Sequence, residues 1–83
     1  MSKLSKAKEK CQSVLLSFNN ALYPNVNLSK YVDDLDFIDI IMDVELSTGF
    51  IVGEVGDKSV KDFNTVDDFI TWMASEIVKG IKY

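Results

Sequence analysis

Eighty-three residues, 47% of them apolar and 27% charged, make one small domain spanning 1–83, with most apolar side chains committed to a single core. The net charge is −4, His is absent and none of the nine basic residues is Arg. The commonest general base, the commonest zinc ligand and the side chain best suited to gripping phosphates are therefore missing, which argues against an enzyme and against a nucleic-acid binder.

Leu4, Ala7, Cys11, Val14, Leu15, Phe18 and Leu22 recur at steps of three and four, which predicts a first amphipathic helix of about five turns. Cys11 lies on that stripe and reads as a small buried apolar residue. As a lone Cys it has no intramolecular disulfide partner, which fits a reducing compartment. With no apolar signal-peptide core and no run of about 18–20 apolar residues, the expectation is a cytoplasmic protein without a membrane span.

Asn19-Asn20 and Tyr23-Pro24-Asn25 break the periodicity, because Pro cannot continue a helix. Residues 25–32 read as a long loop anchored inward by Val26, Leu28, Tyr31 and Val32. A second main helix is predicted from about Asp34 to Thr48, with Asp34 as N-cap and Gly49 as the stop signal. Residues 50–58 are irregular, and a short helix or turn covers Ser59 to Phe63. Thr65, with Asp68 three residues on, caps a last helix whose buried stripe is Val66, Phe69, Ile70, Met73 and Ile77, ending near Gly80.

The helix from Asp34 carries the functional signal. Between Lys30 and Lys58 there is no basic residue, while Asp33, Asp34, Asp36, Asp39, Asp43, Glu45, Glu54 and Asp57 fall in that window. Asp36, Asp39 and Asp43 share one face. Three like charges on one stripe repel by a few tenths of a kcal/mol for each neighbouring pair, a cost that a basic partner surface would relieve. The rest is apolar almost without break: Leu35, Phe37, Ile38, Ile40, Ile41, Met42, Val44 and Leu46. That is more than one buried face requires, and Phe37 is expected to be exposed beside Asp34.

The run Asp33-Asp34-Leu35-Asp36-Phe37-Ile38-Asp39-Ile40-Ile41-Met42-Asp43-Val44-Glu45 resembles the modification motif of acyl carrier proteins. In that family an Asp-Ser-Leu triplet opens an acidic, apolar second helix, and the Ser carries a 4′-phosphopantetheine arm. Here Asp34 stands where the Ser would be. It has no hydroxyl to attack coenzyme A, so no cofactor is expected on the chain as it stands. A second alignment sets Tyr31-Val32-Asp33-Asp34-Leu35 on the family's Phe-Val-Glu-Asp-Leu segment, with the piece bearing the Ser deleted. Ser29 and Ser47 lack the flanking Asp and Leu.

The resemblance implies an all-α, acyl-carrier-like four-helix bundle: three main helices, one short helix and a long first loop. It also implies a monomer that docks through Asp33, Leu35, Asp36, Phe37, Asp39, Ile40 and Asp43 onto a basic patch of an enzyme of fatty-acid, polyketide or related acyl metabolism. Two alternatives stay open. The chain is an ordinary carrier with an introduced Ser-to-Asp change at 34, or a small acidic inhibitor of a basic toxin or nuclease. Asp34, Asp36 and Glu45 also match three positions of a calcium loop, but Ile38 and Asp39 occupy places that need an oxygen ligand and Gly.

Overall fold

The computed structural model describes residues 3–52 and 58–80. It is an all-α bundle of α1 (Lys3–Phe18), a single-turn α2 (Leu28–Tyr31), α3 (Asp34–Thr48) and α4 (Val66–Val78), with a 3₁₀ turn at Val60–Asp62 before α4. Helix α1 packs against both α3 and α4. The expected all-α bundle of three main helices is present; the short α-helix lies inside the first connection, and the short helix or turn expected over Ser59 to Phe63 is the 3₁₀ turn.

Helix α1 buries Ala7, Cys11 and Leu15. It ends one turn early, because the Asn19 side chain accepts the Ala21 N–H at 2.9 Å and offers the chain an alternative to the helix. Leu22 is nonetheless wholly buried, and Gln12 holds its carbonyl through Nε2 at 2.9 Å.

The connection from α1 to α3 is tied to the start of α4. The N–H groups of Leu28, Val66 and Asp67 donate to the carbonyls of Asn64, Val26 and Pro24 at 2.9–3.0 Å. Leu28 and Val32 anchor this segment in the core, and Val26 packs against it. Tyr31 does not point inward as expected. It is exposed, with the Lys30 ammonium 5.7 Å from its ring centroid.

Helix α3 buries Phe37, Ile40, Ile41 and Val44, at steps of three and four, against the core. Each such side chain contributes roughly 1.5–3 kcal/mol on burial, an upper figure when the unfolded chain is taken as extended. Its N-terminal end is pinned by aromatic contacts. The Phe37 ring stacks on Phe69 of α4 at 4.9 Å and lies 6.1 Å from Phe63, which in turn sits 5.4 Å from Trp72. Gly49 ends the helix in the left-handed region, φ 77°, as expected for a glycine stop. The Glu45 carboxylate accepts the Val52 N–H at 2.9 Å, so the chain leaving α3 folds back along it.

Helix α4 opens with the predicted capping box. Thr65 Oγ1 accepts the Asp68 N–H and Asp68 Oδ2 accepts the Thr65 N–H, each at 3.2 Å. The predicted stripe of Val66, Phe69, Ile70, Met73 and Ile77 is buried, joined by Ala74 and by Glu76, which pairs with Lys79. Of the irregular stretch 50–58, residues 53–57, with Glu54 and Asp57 of the acidic window, lie outside the described residues.

Candidate docking face on the third helix

Asp33, not Asp34, caps α3. Asp33 is extended (φ −94°, ψ −178°), and its Oδ1 accepts the Asp36 N–H at 2.8 Å. An N-cap must be non-helical to turn its side chain onto the first turn's free N–H groups, and Asp34 is already the first helical residue. Its side chain is exposed at the positive end of the helix, where a carboxylate is favoured. The position occupied in the resembled family by the modified Ser is thus solvent-facing and is not needed for the cap.

The apolar residues of α3 divide cleanly. Phe37 and Ile40 are 1% and 0% exposed, whereas Leu35, Ile38, Met42 and Leu46 are 79, 45, 53 and 67% exposed. The expectations that Phe37 is exposed and that Phe37 and Ile40 meet a partner are therefore corrected: both face inward with Ile41 and Val44. The outward stripe is offset by nearly half a turn. At 3.6 residues per turn, positions 35, 38, 42 and 46 lie along one line about 16 Å long. Leu35 is exposed in keeping with its expected place among the docking residues, and Ile38, Met42 and Leu46, which are not among the expected contacts, line up with it on the surface. Their own three-and-four spacing was the available signal.

Asp39 and Asp43 are exposed and Asp36 is half-buried, all on the flank of that apolar line. Among the described residues none of the three forms an ion pair; Lys8 instead pairs with Asp67 at 3.5 Å, and Lys79 with Glu76. Asp33, Leu35, Asp36, Asp39 and Asp43 thus remain on the face, beside Asp34. The unbroken helix through 34–48 rules out a calcium loop there, and Glu45 is turned toward Val52. Ser29 sits on α2 with its hydroxyl donated to Asn27 at 2.8 Å, and Ser47 lies in the last turn of α3, so neither stands at the head of the helix.

No protein-family model, no curated protein and no solved structure matches the chain significantly. No helix among the described residues is long and apolar enough to cross a membrane.

Proposed function

We propose that this chain is an acyl-carrier-like module that acts by docking α3 onto a basic, partly apolar patch of an enzyme of acyl metabolism. It does so as a monomer and without carrying a phosphopantetheine arm. The observation that carries the reading is the pairing of two stripes on the helix that bears the motif resemblance. An exposed apolar line, Leu35-Ile38-Met42-Leu46, runs beside an acidic one, Asp36-Asp39-Asp43. A small domain gains nothing in folding from either: the first leaves apolar surface in water and the second brings like charges together. A partner supplying Lys or Arg beside an apolar surface would satisfy both.

The charges would speed encounter and set orientation, while the apolar line would supply the area that excludes water. Asp34, exposed at the first position of the helix, would present a negative charge where a carrier bears its phosphodiester. The chain would then act as a decoy, scaffold or regulator of an enzyme that handles loaded carriers. There is no acid–base or nucleophilic step to assign to it.

The test uses a phosphopantetheinyl transferase as the probe partner, with affinity followed by fluorescence anisotropy at low and high salt. Binding that weakens with salt, and at least tenfold in the Asp36→Lys/Asp39→Lys/Asp43→Lys variant with unchanged helical circular dichroism, supports the reading. Equal affinity for both chains removes it.

A further inference from the structure

At the opposite end of α3 from Asp34, about 20 Å along the helix axis, the first turns of α1 meet the last turns of α3 and α4 around an open groove of about 320 Å³. Ligand sites run from roughly 300 to 1,000 Å³, so this groove suits one slender molecule. Its walls are apolar: Ala7, Phe50, Ile77 and Val78. Lys3, Lys6 and Lys10, all exposed, line it as well.

The three lysines stand at i, i+3 and i+7, one side of α1, and among the described residues none of them forms an ion pair. Lys8, on another side of the same helix, pairs with Asp67. Their mutual repulsion is not the only adverse feature. Lys3 and Lys6 sit at the positive end of α1, whose first turn contains no acidic residue. The carbonyl ends of α3 and α4 offset part of this. In a chain of net charge −4, three cations gathered beside an apolar recess select for an anion attached to an apolar body. The recess is too small for a helix, and without Arg there is no planar fork to favour bidentate binding.

We infer that this groove binds a medium-chain fatty-acid anion. The alkyl chain lies between Ala7, Phe50, Ile77 and Val78, and the carboxylate lies against Lys3, Lys6 and Lys10. The inference is independent of the docking face on α3, which lies elsewhere and carries the opposite charge.

The experiment is a titration of the full chain with decanoate, followed residue by residue in ¹H–¹⁵N NMR spectra, with decanol and butyrate titrated in parallel. Saturable shifts at Ala7, Phe50, Ile77 and Val78, with decanol and butyrate each at least tenfold weaker, are expected. The Lys3→Gln/Lys6→Gln/Lys10→Gln variant should also bind decanoate at least tenfold more weakly. The exposed line Leu35-Ile38-Met42-Leu46 is an internal control, because carboxylates flank it. Decanoate shifts of equal size there, or equal binding of decanol by the unaltered chain, would reduce the effect to adsorption on apolar surface and overturn the inference. So would groove shifts that track protein concentration without any decanoate, since a second copy would then be the occupant.

Discussion

The Asp33 carboxylate accepts the backbone N–H of Asp36 at 2.8 Å, and this one bond relieves its neighbour Asp34 of capping α3, leaving it only the favourable placement of a carboxylate at the positive end of the helix. Removing it should be felt by the fold. Asp33→Ala is expected to cost about 1 kcal/mol, as for N-caps generally, while Asp34→Ser should change stability by less than about 0.5 kcal/mol. Urea unfolding of both variants checks this. A larger loss at Asp34 would mean that the cap lies there after all.

Phe37 and Leu35 make the second contrast. Phe37 is enclosed by Phe69 and Phe63, so Phe37→Ala should cost roughly 3–5 kcal/mol, a large share of the stability of a domain this small. Leu35→Ala removes a side chain that stands mostly in water and should cost less than about 0.5 kcal/mol. Thermal or chemical denaturation reads both. Comparable losses would contradict the orientation of α3.

These two residues also show where sequence reasoning reached its limit. The cap of α4 and the stop of α3 are legible because they rest on local chemistry: Thr65 with Asp68, and Gly49 past the last apolar residue. The buried stripe of α4 was legible because polar residues mark its other side. On α3 two apolar lines compete, Phe37-Ile40-Ile41-Val44 and Leu35-Ile38-Met42-Leu46, and both have helical spacing. Periodicity identifies such a helix without saying which line turns inward. That is decided by contacts distant in sequence, chiefly Phe37 on Phe69. Asp33 and Asp34 meet the same local capping rule, and only their backbone angles separate the cap from the first helical residue.

Asp36, Asp39 and Asp43 should be mildly adverse to the isolated fold. Asp39 is spaced three and four residues from the other two, so Asp39→Asn is expected to raise stability by a few tenths of a kcal/mol at low salt. The gain should shrink near 1 M salt, where the Debye length falls to about 3 Å. A salt-independent change, or a loss, would show that the carboxylates are not a repulsive stripe.

Cys11 is wholly buried, and burial pushes its thiol up from 9.0 to about 12 because the thiolate is poorly solvated there. The folded state therefore holds its proton where the unfolded state begins to release it. Stability from this group is complete below pH 9 and declines as pH rises from about 9 towards 12. Denaturation midpoints of the unaltered chain and Cys11→Ala should thus converge over that range, and the native thiol should resist disulfide reagents at pH 8. Midpoints that keep a constant separation would contradict the shift.

The central claim is that α3 is a carrier-type docking face whose attachment point is blocked at Asp34. Intact mass after incubation with coenzyme A and a promiscuous phosphopantetheinyl transferase tests it most directly, with the Asp34→Ser variant alongside the unaltered chain. The account predicts that only the variant gains the mass of the arm. If the variant stays unmodified while remaining folded, or if the unaltered chain is itself modified, the assignment of Asp34 and of the face around it is contradicted.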